Sequence, residues 1–280
     1  MKSKAKIRRV VPGFKLSVGV TVAMVSLIVL IPLCALAATA AGLSPAAFWE
    51  TVTRGRVLAS FRVSFLCAFV AACVNFGFGL LLAWVLARYD FLGKRLVDGL
   101  IELPFALPTA IAGITLTSLT APNGWIGALF GKIGVKIAYT PVGITLALIF
   151  VGIPFVARSV QPVLEKLDPA YEEAAGMLGA SRPRRFFRVV LPELLPAALT
   201  GFGLAFARGL GEYGSVVFIA GNKPYETEIV PLMIMSQLQE YDYGEATSIA
   251  LVMLFVSFVL LFVMNAIQVR AAKRTGGIGA

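Results

Sequence analysis

Six long apolar runs, separated by short polar segments, leave this chain few folds to choose from. They lie at about 16–41, 57–87, 98–120, 141–162, 193–220 and 247–268, and each approaches or exceeds the roughly 20 residues a helix needs to cross the hydrocarbon layer. Backbone groups in that layer have no water to bond, so consecutive runs of this length must satisfy themselves as helices. Hydrophobic residues make up 58% of the chain and charged residues only 14%, which excludes an ordinary soluble domain. The expectation is an all-α, multi-pass membrane protein of six transmembrane helices.

The first run follows a cationic stretch, Lys2, Lys4, Lys6, Arg8 and Arg9, as a signal peptide core would. It is too long for one, since a cleavable core spans about 7–15 residues, and Leu33 before Cys34 is not the small residue a lipoprotein site requires. It reads as an uncleaved anchor. Of the 25 Lys and Arg residues, an inside N-terminus places eighteen in inner segments and five (Arg54, Arg56, Lys132, Lys136, Lys223) in outer ones, leaving Arg62 and Arg208 within apolar runs. That bias predicts cytoplasmic termini and a cytoplasmic 163–192 segment. The chain then divides into a cytoplasmic N-terminal segment (1–15), a transmembrane domain (16–268) and a cytoplasmic tail (269–280).

The net charge of +10 does not point to nucleic acid, because the cations flank spans instead of gathering on one face; topology and anionic membrane lipid account for them. Cys34, Cys67 and Cys73 all fall in apolar runs and there is no His, so neither a disulfide framework nor a His-based metal site is expected. No residue is a catalytic candidate. A phosphate-cradling loop is also missing: Gly127 to Ile133 has three residues between Gly127 and Gly131 where four are needed, and Ile133 stands where Ser or Thr would bind Mg. Any nucleotide belongs to another subunit.

Segment 163–192 predicts two short helices. Asp168 can cap the first with Pro169 at its first position, and Gly179 can end it; Ser181 can cap a second that stops before Pro192. Glu173, Ala174 and Ala175 place a charge beside two small side chains, where another protein's surface can approach closely. Taken alone, this composition also suits a plain solvated loop.

The spacing says more. Glu173-Ala174-Ala175, then Gly179, Val189 and Leu191-Pro192 resemble the cytoplasmic signature of the inner-membrane permease subunits of bacterial ABC importers, with Val189 where Ile is usual. Within that family the chain resembles the T-type permeases of sulfate/thiosulfate importers. Leu103 to Thr109, Pro154 to Arg158, Gln161 to Glu165, Gly211 to Gly214, Phe218 to Asn222 and Leu238 to Tyr243 carry this likeness, and molybdate permeases share similar motifs. The resemblance implies a type I ABC importer permease fold, a coupling helix formed by Glu173, Ala174, Ala175 and Gly179, and a bacterial inner-membrane location. It also implies four kinds of partner: a homologous second permease, a cytoplasmic ATPase dimer carrying ATP and Mg, a periplasmic sulfate/thiosulfate-binding protein, and membrane lipid. No cofactor is expected in this chain itself.

In the fifth run, Ala197, Gly201, Ala205 and Gly209 recur every four residues, a spacing that lets helices pack closely. Arg208 and Glu212 are expected within the same arc, one turn apart. Two readings stand for them: a structural i,i+4 pair, or an anion path with Arg208 supplying positive potential, Glu212 orienting it, and Gly209, Gly211 and Gly214 admitting an ion to backbone N–H groups. Pro104 and Pro108 interrupt the third run and Pro154 and Pro162 the fourth, as kinks or as a hinge. Arg62 is expected to snorkel, and Asn75 either to line a cavity or to bond across an interface.

The resulting reading is a permease without chemistry of its own, moving sulfate by ATP-driven alternating access. The alternatives are a molybdate or tungstate permease, an ion-gradient-driven secondary anion transporter, and a membrane-embedded enzyme.

Overall fold

The computed structural model describes residues 14–274, and every regular element among them is helical. Five helices are long and apolar enough to cross a membrane: α1 (Phe14–Ala41), α3 (Gly55–Arg88), α8 (Pro141–Lys166), the continuous helix that ends as α11 (Leu191–Leu210), and α14 (Tyr243–Arg274). Between them lie α2 (Pro45–Thr53), α4 (Lys94–Ile101), α5 (Leu103–Ala106), α6 (Thr109–Thr120), α7 (Trp125–Gly131), α9 (Pro169–Met177), α10 (Arg182–Arg185), α12 (Val216–Ala220) and α13 (Val230–Gln239).

The centre is the trio α3, α8 and α11. Lipid tails are as apolar as Leu, so close backbone approach must replace hydrophobic drive in holding such helices together. At Gly201 an added Cβ would lie 2.5 Å from the Val156 Cα, so α8 and α11 nearly touch there. Val156, Ala157, Val160 and Ala198 are fully buried around this seam. Phe69, Phe202 and Phe206 interlock edge-to-face and stacked between α3 and α11 at centroid distances of 6.0–6.3 Å.

Contacts along the trio set helix direction. Cys67 meets Pro141, and Gly79 meets Val156 further along both chains, so α3 and α8 run parallel; Gly201 meets Val156 while Gly209 faces Leu148, so α11 is antiparallel to them. A parallel α3 and α8 oblige the intervening chain to return across the molecule. Two ends result: a coupling end, where α3 and α8 finish, and a far end, where they begin. Glu245 at the start of α14 meets Arg54 at the far end, and Gln268 later on α14 meets Leu199, so α14 also runs from the far end towards the coupling end.

The return crossing departs from expectation. The 98–120 run is not one helix but α4, α5 and α6, with Leu107 and Pro108 extended between the last two. Pro104 and Pro108 lack the N–H that a helix interior needs, and a residue before Pro is driven out of the helical region. The twelve residues of α6 rise only about 18 Å. The fifth run also differs: it stops at Leu210, and Gly211 to Ser215 form a turn before α12.

The second short helix expected before Pro192 does not end there. It continues from Arg182 to Leu210 as 29 helical residues, because Phe186–Val190 widens into a π turn in which the Leu191 N–H reaches back to the Phe186 carbonyl. A turn of that register absorbs the donor that Pro192 lacks. Asn75 is a further correction. It is buried, but neither amide atom has a hydrogen-bond partner among the described residues. It lies against Gly152, where a Cβ would collide with its Nδ2, so the missing side chain on α8 is what makes room for the amide.

Candidate coupling segment and anion path

At the coupling end, Asp168 accepts a hydrogen bond from the Ala170 N–H at 2.9 Å and Pro169 opens α9. Gly179 takes φ +83, a backbone that an L side chain resists. Around it the Ala180 N–H donates to the Ala175 carbonyl and the Gly179 N–H to the Gly176 carbonyl at 3.0 and 2.9 Å, the paired bonds that close a helix before a reversal. Both boundaries expected from the sequence are therefore present, and they isolate α9 as a short, self-capped helix.

One face of α9 packs inward. The Arg185 guanidinium lies against Gly176 and its Nη1 reaches the Glu172 carbonyl at 3.5 Å. Glu172 pairs with Arg88, the last residue of α3. Arg88 in turn lies 5.5 Å over Trp84, which meets Phe186 edge-on at 5.3 Å. A continuous set of contacts thus joins α9 to α3 and to the π turn. The opposite side is free: Glu173, Ala174 and Gly179 are exposed, and Met177 and Leu178 expose 90% and 89% of their surfaces. Ala175 is half-buried, so of the four expected coupling residues it alone faces partly inward.

Sequence reasoning missed the Glu172–Arg88 brace and the Arg185–Gly176 contact. The signal was available: once Asp168 and Gly179 bound the helix, Glu172, Ala175 and Gly176 are i, i+3 and i+4, and the small pair marks the packed face.

Nearer the far end, the Arg208 Nη1 and Glu212 Oε2 lie 2.5 Å apart. Glu212 is 1% exposed, and its Oε1 accepts from both the Ser215 N–H (2.8 Å) and the Ser215 hydroxyl (2.9 Å). The carboxylate therefore fastens the turn after α11 to the start of α12. Arg208 keeps 40% of its side chain exposed, on a flank shared with Leu204. This departs from the expected common arc with Gly201, Ala205 and Gly209, which are buried. Arg208 is one residue from Gly209 and so about 100° away, and Glu212 meets it as an i,i+4 partner although α11 ends between them at Leu210.

The glycines divide similarly. Gly209 packs against Ala68 of α3, and Gly214 against Thr109 of α6, where a Cβ would collide; Gly209 is buried and Gly214 half-buried. Gly211 is exposed with nothing within 4 Å, beside an apolar groove of about 340 Å³ that includes Tyr213, Met235 and Leu238. Arg208 and Glu212 are brought together, while Gly211 lies on the groove, whose lining does not include Arg208.

Comparison with known proteins shows the family. Residues 76–277 match the family described as binding-protein-dependent transport system inner membrane component. The chain is 52% identical over 270 residues to the sulfate transport system permease protein CysT of Escherichia coli K12, covering 96% of this chain and 98% of that protein. It is 51% identical over 270 residues to its Salmonella typhimurium LT2 namesake, with the same coverage. Among solved structures, a bacterial ABC transporter involved in the import of the acidic polysaccharide alginate aligns with a TM-score of 0.76 at 17% identity, covering 92% of this chain and 96% of that one. At that identity the likeness speaks for the fold alone.

Proposed function

The chain belongs to the family of binding-protein-dependent transport system inner membrane components, and from that premise we propose that it is the membrane-spanning subunit through which an ATP-driven importer moves sulfate, and thiosulfate with it. It is a multi-pass transport subunit, not an enzyme, with the type I ABC importer permease fold. ATP and Mg are bound by a separate ATPase dimer on the cytoplasmic side, a second homologous permease completes the path, and a periplasmic binding protein delivers the anion. The membrane is the bacterial inner membrane. The coupling end faces the cytoplasm, which puts both chain termini there, with 16–268 as the transmembrane domain.

The observation that carries the coupling role is the division of α9 into a braced face and a bare one. Glu172 and Gly176 hold it to the permease, while Glu173, Ala174, Met177 and Leu178 stand clear and fit a cleft on the ATPase. Closure of the ATPase dimer pushes on this face, and the Arg88–Trp84–Phe186 contacts pass the displacement into α3 and α11, turning the path outward. A doubly charged anion would lose several kcal/mol per charge on entering a low-dielectric layer; a path between two permeases, with Arg208 exposed on this one, avoids most of that cost. Gly211 gives the ion room beside Arg208, and Glu212 orients the guanidinium.

Labelled sulfate uptake into proteoliposomes holding all four kinds of subunit tests the proposal. Uptake is expected to require ATP, to be abolished by Glu173→Arg, and to be little affected by molybdate. Uptake by this chain alone on an ion gradient would overturn the ABC assignment, and preference for molybdate would overturn the substrate.

A further inference from the structure

The largest cavity described, about 750 Å³, lies at the coupling end between the end of α8, the first turn of α9 and the start of α11. It is an open groove: of its charged lining residues, Lys166, Asp168 and Arg188 are exposed and Glu193 is half-buried. Nothing in the transport proposal uses it. Its lining has two characters. Apolar side chains, Pro162, Val163, Leu167, Val189 and Pro192, form one part; the other holds two cations, Lys166 and Arg188, and two carboxylates, Asp168 and Glu193.

Those four charges do not neutralise one another directly. Among the described residues, neither Lys166 nor Arg188 has a carboxylate within 4 Å, although both share the cavity with Asp168 and Glu193. Asp168 spends one oxygen on the Ala170 N–H, leaving the other available. Opposite charges that share a cavity without pairing suit a ligand that carries both signs at once.

The depth of the cavity is fixed independently. Lys166 is the last residue of α8, and Arg188 lies in the π turn that begins at Phe186, the ring that meets Trp84 edge-on. Trp and cationic side chains at the ends of spans mark the headgroup level, and pockets between helices at that level hold lipid headgroups. Phe187, 64% exposed next to Phe186, offers a further apolar surface to the same layer. On α9 the cavity reaches only Tyr171 of the first turn, away from the bare Met177–Leu178 tip.

We propose that this cavity is a binding site for a zwitterionic aminophospholipid of the cytoplasmic leaflet, of the phosphatidylethanolamine class. Its phosphate is held by Lys166 and Arg188, its primary ammonium by Glu193 and the free oxygen of Asp168, and its glycerol and upper acyl carbons by the apolar wall. A quaternary ammonium cannot donate hydrogen bonds to those carboxylates, and a headgroup without a cation gives them no partner; either forgoes the charge-assisted bonds a primary ammonium makes. The lipid would tie α8, α9 and α11 together at the headgroup level.

The test uses the complete transporter in nanodiscs of phosphatidylcholine doped with either phosphatidylethanolamine or phosphatidylglycerol, counting retained lipids by native mass spectrometry. Phosphatidylethanolamine is expected to be retained over both others. Arg188→Gln is expected to cut its retention roughly tenfold, the loss of one charge-assisted hydrogen bond, and Arg188→Lys to restore it. Glu193→Gln is expected to shift preference towards phosphatidylglycerol, because the groove becomes net positive. Arg182→Gln with Arg184→Gln, which removes two cations outside the groove, is expected to change nothing. Equal retention of all three lipids, a wild-type preference for phosphatidylglycerol, or equal losses from the Arg182/Arg184 pair would each overturn the proposal. So would displacement of the lipid by inorganic phosphate alone, which would make this a free-anion site, or retention only after the ATPase is stripped away, which would assign the groove to a protein partner.

Discussion

The two ends of this molecule are joined in opposite ways. At the far end, Arg56 grips Glu228 through two bonds of 2.8 and 2.7 Å with the carboxylate 1% exposed, the Ser64 hydroxyl accepts from the Val230 N–H at 2.8 Å, and Arg54 meets Glu245 at 2.8 Å. All four non-glycine residues with positive φ among those described, Tyr139, Asn222, Tyr225 and Tyr241, sit in far-end loops. Such backbone costs about 1–3 kcal/mol per residue and persists only where the surroundings hold it firmly. At the coupling end, among the described residues, only glycines, Gly93 and Gly179, take positive φ, and the pairs there are partly solvated: Arg88 and Glu172 each expose about a quarter of their side chains, and Arg158 bridges Asp98 and Glu102, both well exposed. The far end is built to hold one shape, whereas the coupling end is held lightly and can be moved by what docks on it.

The sharpest way to break this comparison is at Arg56. Replacing it with Met leaves Glu228 as a buried, unpaired charge, and a loss of about 3–5 kcal/mol is expected, seen as a collapse in assembled permease and in thermal midpoint. Glu228→Gln should cost less, because the stranded Arg56 already exposes a third of its side chain and can turn to water. Equal losses from the two variants would mean that the pair is no more buried in function than those at the coupling end.

A smaller effect is expected at Glu212, which stands at the far end but was also read as part of an anion path. Glu212→Ala removes the acceptor for the Ser215 N–H and hydroxyl, and a stability loss of about 1–3 kcal/mol is expected. Glu212→Gln, whose amide oxygen still accepts both bonds, should recover much of that stability. If Glu212→Ala left the thermal midpoint unchanged and lowered only uptake, the residue would belong to the path and not to the frame of the far end.

Five of the six expected spans were legible in the sequence because hydrophobic length is a property of composition along the chain, and Asp168 and Gly179 were legible because capping is local. What escaped depends on partners distant in sequence. Arg88 and Glu172 are 84 residues apart, and nothing local distinguishes Glu172 from Glu173 until the helix is bounded and its packed face identified. The π turn at Phe186–Val190 hid the continuity of the helix through Pro192, since the usual rule stops a helix before Pro. The breaks at Pro108 and Gly211 were visible as residues, but apolar composition alone bridged them. Asn75 was expected to line a cavity or find a partner; that Gly152 admits the amide while offering no hydrogen bond is a fact of helix packing alone.

The smallest expected effect tests the yielding end most directly. Glu172→Gln removes the charge that meets Arg88 while keeping the side chain's size, and a partly solvated pair of this kind is worth about 0–1 kcal/mol, so the thermal midpoint should barely change. Hydrogen exchange at α9 should respond instead, because the helix has only nine residues, too few to be stable without its braces. Faster exchange at residues 172–177 in Glu172→Gln, with Glu173→Arg exchanging as the native chain does, would separate holding α9 from presenting it. Unchanged exchange in both would mean that Arg185 against Gly176 suffices as a brace, and the coupling end would then be stiffer than its solvated ion pairs suggest.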